Sequence, residues 1–89
     1  MRSITAPQFW KRYEALGEDV QRRADRAYKL WQINPQARGL YFKRVGKQRP
    51  VFSVRIGQGH RALGLLEGDA ILWFWIGSHD EYERLLKHL

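Results

Sequence analysis

At 89 residues, 44% of them hydrophobic and 13% aromatic, the chain carries enough apolar side chain to close one two-layer core but not two, so a single domain over residues 1–89 is expected and a disordered tail is excluded. It has no cysteine, its longest apolar run (Ala70 to Ile76) is far short of the roughly 18 residues of a membrane span, and no secretory h-region follows Met1; a cytoplasmic protein with no membrane partner is expected. Sixteen Lys and Arg against nine acids give a net charge of +7, which favours phosphate backbones or an acidic protein as partners and equally fits an ordinary basic surface.

Thr5 with Gln8 three residues on fits a capping box, and Pro7 is tolerated in a first turn. A first helix is predicted there, with Phe9, Trp10, Tyr13 and Leu16 on one side and Gly17 as its left-handed stop. Glu18 and Asp19 suit the N-terminus of a second helix, in which Val20, Ala24, Ala27 and Trp31 form the apolar stripe and Asn34-Pro35 the end. Arg22, Arg26 and Lys29 line its other side as a basic ridge, the usual cover of an exposed helix face.

The stretch Leu40 to Val45 is short and aromatic enough for a strand, and Gly46 to Pro50 is a polar break. In Val51 to Ile56 the pleat puts Phe52, Val54 and Ile56 on one face and Ser53 and Arg55 on the other. Gly57-Gln58-Gly59 suits a three-residue hairpin loop, with Gly59 in the left-handed position. This loop sets Ile56 opposite His60 and Arg55 opposite Arg61. Glu67-Gly68-Asp69 reads as the next hairpin, leading into Ile71 to Gly77. With three residues in that loop, Trp73 and Trp75 share the face of Arg55 and Arg61, while Leu72, Phe74 and Ile76 face the helices. Ser78 and Glu81 form a capping box for a C-terminal helix with the stripe Tyr82, Leu85, Leu86 and Leu89. The fold class is therefore α+β: two N-terminal helices on a three- to four-stranded antiparallel sheet, and a short C-terminal helix.

One sheet face then gathers Ser53, Arg55, Arg61, Trp73 and Trp75, and Lys43 and Arg44 enter from the preceding strand with either facing open to them. Guanidinium groups bind phosphate in bidentate fashion and exposed indoles stack on unpaired bases, which suits RNA; solvated arginines and a core tryptophan pair are the alternative. His79, in the first turn of the last helix, and Tyr82, one turn on, are candidates for moving protons. His60, His79 and His88 lack zinc-like spacing, so neither metal nor cofactor is expected. Ser78-His79-Asp80 resembles a triad only in spelling, and Gly57-Gln58-Gly59 joins two strands and opens no helix.

The element order, with "LYFKRV" (Leu40 to Val45), "FSVRIGQGHRALG" (Phe52 to Gly64) and "ILWFWIGSHDEYERLL" (Ile71 to Leu86), resembles the RelE/ParE superfamily of type II toxin–antitoxin toxins. The resemblance runs from Phe9 to Leu86. It implies a RelE/ParE-like fold and, in the RelE branch, a metal-independent endoribonuclease that cleaves mRNA on the ribosome and so inhibits translation. It places Arg55, Arg61 and His79 in catalytic positions, with Tyr82 a looser match; the sheet face itself offers Lys43, Arg44, Ser53, Trp73 and Trp75 as substrate-binding candidates. Ser53 stands where that branch tends to carry a lysine, and His79 where it often has an arginine. At most a fragment of the family's N-terminal edge strand is expected, because only Met1 to Ile4 precede the first cap. The ParE branch shares the fold and inhibits DNA gyrase, and a non-catalytic nucleic-acid-binding module is a third reading. Either toxin reading implies a cognate antitoxin, acidic in character, over the basic face or an adjacent groove.

Overall fold

The computed structural model describes all 89 residues. Their order is β1 (Arg2–Thr5), α1 (Pro7–Glu14), α2 (Glu18–Ile33), β2 (Lys43–Arg44), β3 (Val51–Ile56), β4 (His60–Glu67), β5 (Ala70–Ser78) and α3 (His79–Leu86). The sheet runs β1-β5-β4-β3-β2. Strands β3, β4 and β5 form an antiparallel meander, β2 adds antiparallel to β3, and β1 lies parallel to β5. The α+β class stands, with five strands in a mixed sheet in place of three to four antiparallel ones.

The additional strand is β1. Thr5 pairs with Trp73 on β5, and the Ala6 N–H donates to the Trp73 carbonyl at 2.9 Å. The expected Thr5–Gln8 capping box therefore does not form: Ala6 is the N-cap of α1, with no side-chain cap, and Pro7 opens the first turn. Gly17 is not a left-handed stop either. Its φ of −65° makes it the N-cap of α2, whose first turn carries Glu18 and Asp19 as the dipole favours. The ridge of Arg22, Arg26 and Lys29 is exposed, and Arg22 pairs with Glu18 and Asp19.

Two apolar clusters flank the sheet. Against α1 and α2 lie Ala24, Trp31, Leu40, Val54, Ile56, Ala62, Ile71, Trp73 and Ile76; against α3 lie Val51, Leu63, Trp75 and Tyr82. The β3–β4 loop holds three residues, as the sequence predicts, and sets Ile56 against His60 and Arg55 against Arg61. Its left-handed residue is Gly57 (φ 60°) and not Gly59.

The second hairpin departs from expectation. Glu67 pairs with Ala70, leaving the two-residue loop Gly68-Asp69, and the register then shifts, with Gly64 opposite Trp73 but Leu63 opposite Trp75. Phe74 is the extra residue of a β-bulge, which interrupts the alternation of sides along β5. Trp75 and Ile76 take the faces predicted for them. Trp73, however, turns to the α1–α2 face, and Leu72 and Phe74 lie on the α3 side, beside Leu65 and Leu89.

Only Lys43 and Arg44 of the expected Leu40–Val45 strand pair with β3. Just before them Leu40 is buried and its carbonyl accepts the Arg55 N–H at 2.7 Å. Tyr41 lies between these contacts with a φ of 47°, the one non-glycine residue in the left-handed region. It breaks the strand.

Candidate functional site

On the α3 side of the sheet an open concavity of about 350 Å³ is lined by Tyr41, Lys43, Ser53, Arg55, Arg61, His79, Tyr82, Glu83 and Leu86. The pleat supplies Ser53 and Arg55 from β3, Arg61 from β4 and Lys43 from β2, opposite Ser53. Helix α3 supplies the rest. Its start is held by the Ser78–Glu81 capping box, with Glu81 N–H donating to Ser78 Oγ at 3.2 Å, and by the His79 N–H donating to the Gly59 carbonyl at 2.8 Å. The second bond ties the His79 backbone to the same hairpin that opposes the arginines.

Tyr82 forms the floor. It is 4% exposed and its hydroxyl donates to Ser53 Oγ at 3.2 Å, so both polar groups are satisfied inside the protein. The Arg61 guanidinium lies 5.8 Å from the centre of the Tyr82 ring and donates through Nη1 to the His60 carbonyl. Arg55 lies 5.3 Å over the Tyr41 ring and donates through Nε to the Gly57 carbonyl at 2.9 Å. Neither guanidinium pairs with a carboxylate. His79 Nε2 is 3.3 Å from Glu83 Oε1 and its ring is 5.8 Å from that of Tyr82.

Two like charges directly opposite on a sheet repel. Burial, and next the charge of Arg55, hold the Arg61 pKa below its ordinary value, with Tyr82 and Glu83 acting in the other direction. An anion bridging the two guanidinium groups relieves this repulsion, and phosphate has the geometry to accept from both. The concavity is thus lined by two unpaired guanidinium groups and a lysine, with an imidazole at its rim.

The structure brings Ser53, Arg55, Arg61, His79 and Tyr82 together, and adds Lys43, whose facing the sequence left open. Arg44 is outside: it pairs with Phe52, on the opposite face, and its side chain donates to the Gly46 carbonyl. Trp73 and Trp75 are not open to a partner. Trp73 is 4% exposed, donates to Ser3 Oγ and packs edge-on against Trp31, while Trp75 is 8% exposed with the Arg12 guanidinium 5.0 Å over its ring. Ser53 is buried at the floor of the concavity, where its Oγ accepts from the Tyr82 hydroxyl. Sequence reasoning missed Tyr41 and Glu83. Glu83 was legible as one helical turn beyond His79, but nothing in "LYFKRV" marks Tyr41 as the point where the strand breaks.

Elsewhere the chemistry is sparse. An apolar cleft of about 190 Å³ between α1, α2 and the sheet is walled by side chains such as Phe9, Trp10, Tyr28 and Trp31; at its edge a bond from the Tyr13 hydroxyl to Asp25 pushes the tyrosine pKa up. His60 lies on that opposite face, its pKa lowered by burial and then by Arg23. No three His, Cys, Asp or Glu side chains converge to hold a metal. No helix is long and apolar enough to cross a membrane.

A helical hairpin on one face of a five-stranded mixed sheet, with a basic concavity and a short helix on the other, defines a RelE-like α+β fold. Solved structures agree. The chain is similar to a YoeB/ParE toxin from Agrobacterium tumefaciens at a TM-score of 0.69, with 15% identity, 89% of this chain and 99% of that one covered. It is similar to YafQ from E. coli at a TM-score of 0.73, with 10% identity over 92% and 98% of the two chains. It also resembles a chain of the RelB–RelE antitoxin–toxin complex from Methanococcus jannaschii, at a TM-score of 0.69 and 15% identity over 92% and 96%. No curated protein matches it in sequence. Residues 18–84 match the ParE-like toxin domain, and the chain belongs to that family.

Proposed function

We propose that the chain is the toxin of a toxin–antitoxin pair and that it arrests translation by cutting mRNA on the ribosome. The observation that carries this reading is the Arg55–Arg61 pair, opposed across one ladder without a carboxylate partner and flanked by His79. Cleavage by internal attack needs a proton removed from the 2′-hydroxyl, a proton given to the 5′-oxygen, and stabilisation of the charge gathering on the phosphate. Arg55 and Arg61 hold the scissile phosphate and carry that charge. His79, steadied by Glu83, moves a proton, since an imidazole can both take and give one. Tyr82 acts through Arg61, as the surface on which that guanidinium rests. Lys43 attracts the strand. The partner in the resting cell is an antitoxin whose acidic segment covers the basic concavity; RelE of M. jannaschii is itself seen with RelB.

The match to the ParE-like domain favours a second reading, inhibition of DNA gyrase by binding alone. Primer extension on cellular mRNA after expression separates the two. Cuts within codons support the ribosomal reading. Intact message beside relaxed or cleavage-trapped DNA sinks it in favour of gyrase, and intact message with undisturbed DNA leaves a nucleic-acid-binding module.

A further inference from the structure

Tyr41 is the wall between two concavities. On one side lies the basic site; on the other lies a second, open concavity of about 470 Å³ lined by Gln36, Ala37, Arg38, Gly39, Tyr41 and Phe42. We propose that this second concavity is a subsite for an unpaired RNA base next to the phosphate held by Arg55 and Arg61, with Tyr41 as the stacking surface. The inference rests on the RNA-cleaving reading of the site and names which part of the substrate the neighbouring loop reads.

The backbone supports it first. A bulky residue with positive φ is a steric outlier that persists only where its surroundings impose it, and such outliers cluster at ligand sites. Here the surroundings do impose it. The Leu40 carbonyl is fixed on the Arg55 N–H, and Lys43 is fixed opposite Ser53. The excess chain between them is taken up at Tyr41, whose conformation separates its ring from that of Phe42. Phe42 packs into the helix-side core against Trp31 and Phe52, whereas Tyr41 is left 62% exposed. Arg55 covers one side of the ring, and exposure on this scale leaves the rest to solvent.

The loop is also preorganised. Asn34 Oδ1 accepts the Gln36 N–H at 3.0 Å, the Asn34 carbonyl accepts the Ala37 N–H at 2.9 Å, and the Ala37 carbonyl accepts the Leu40 N–H. Gly39 has a φ of 89° and nothing within 4 Å of the place a Cβ would occupy, so the backbone is open to close approach. Gln36 can donate to and accept from a base edge, and Arg38 can reach a base or the next phosphate. A strand whose phosphate lies on Arg55 and Arg61 has its adjacent base within reach of the Tyr41 ring. Aromatic stacking then gives affinity, and the loop side chains give preference among bases.

Tyr41→Gly tests the idea, because glycine adopts the same φ without strain and removes the ring. Tyr41→Leu, which keeps an apolar side chain beside Arg55 but no stacking face, separates lost stacking from lost support of Arg55 and should cut as slowly as Tyr41→Gly. The glycine variant is expected to melt at or above the wild-type temperature. Its ribosome-dependent cleavage is expected to fall roughly 5- to 150-fold, the range that stacking on one aromatic side chain covers. Tyr41→Phe should rescue most of that loss. Gln36→Ala and Arg38→Ala should change the base preferred beside the cut. Wild-type protein carrying a 4-thiouridine-substituted, 2′-O-methylated RNA should cross-link at Tyr41. If wild-type protein cuts mRNA and Tyr41→Gly cuts at the same rate and positions, this inference is overturned and the cleavage reading stands. If wild-type protein cuts no mRNA, the cleavage reading falls and takes this one with it.

Discussion

Glu81 uses its two carboxylate oxygens in different directions: Oε1 accepts from the N–H and hydroxyl of Ser78, and Oε2 accepts from Arg12 at 2.9 Å. The first interaction closes the N-terminus of α3; the second ties that terminus to α1, around the sheet edge. Arg12 also donates through Nε to the Ile76 carbonyl at 2.8 Å and covers Trp75. The position of His79 is thus set from α1 as well as from the hairpin.

Glu81→Gln is therefore expected to lower stability with a defined pH dependence. The Glu81 pKa is depressed, chiefly by the Ser78 backbone N–H and further by Arg12. A depressed carboxylate pKa contributes stability that is present above the unfolded value of 4.5 and is lost as the pH falls through the folded value. Glu81 is partly exposed, so the effect at neutral pH is limited to about 1 kcal/mol, or roughly 4–8 °C in Tm. Thermal melts from neutral to acid pH should show a constant wild-type advantage that shrinks below about pH 5.

The proposed phosphate site sets two like charges, Arg55 and Arg61, directly opposite each other in the empty fold. Arg61→Met keeps an apolar stem over the Tyr82 ring and removes the repulsion from Arg55. Its stability is expected to equal or exceed that of the wild type, by up to about 1 kcal/mol in a thermal or denaturant melt. Toxicity should nevertheless be lost. Single-stranded RNA should bind wild-type protein with steep salt dependence, and the variant's slope of log affinity against log salt should be shallower by about 0.7 for each phosphate it no longer neutralises. A fully toxic Arg61→Met would remove Arg61 from the site.

Which parts of this site were legible in the sequence follows from the range of each signal. The Arg55–Arg61 opposition depends on one short loop and strict alternation, both local, and the structure has it as the sequence predicts. The same holds for the capping box that sets His79. The tryptophan pair failed because the two-residue loop at Gly68-Asp69 and the bulge at Phe74 are separate register events, and only their sum reaches Trp75. Trp73 lies before the bulge and feels the loop alone, so it turns to the helices. Strand β1, the short edge fragment that the resemblance allowed, gave no pattern of its own because four residues are too few for one, and its parallel partner is more than 60 positions away. Tyr41 lay hidden for a related reason: its backbone is dictated by the bonds that Leu40 and Lys43 make with β3.

Gly64 is expected to tolerate no side chain. A Cβ there would lie 2.6 Å from Ile71 Cγ1 and 2.9 Å from Trp73 Cε3, both in the tightly packed helix-side core. Neither neighbour is a flexible end that can move aside. Gly64→Ala should cost about 1–3 kcal/mol, read as a lower denaturant midpoint with an unchanged m-value. Gly68→Ala on the exposed loop meets no atom and should act only through its positive φ, with the smaller loss.

Tyr82 and Ser53 give the sharpest division between structure and chemistry in the concavity. The Tyr82 hydroxyl is buried and bonded to Ser53 Oγ, so it is poorly placed to exchange a proton with a ligand. Tyr82→Phe should cost about 1 kcal/mol of stability and leave cleavage within roughly threefold, because the ring under Arg61 remains. Tyr82→Ala should abolish cleavage by removing that surface. A double-mutant cycle with Ser53→Ala should show coupling of about 0.5–1.5 kcal/mol in stability and none in cleavage. Should Tyr82→Phe instead lose cleavage a hundredfold while staying folded, the hydroxyl moves a proton after all, and Ser53 becomes the group that orients it.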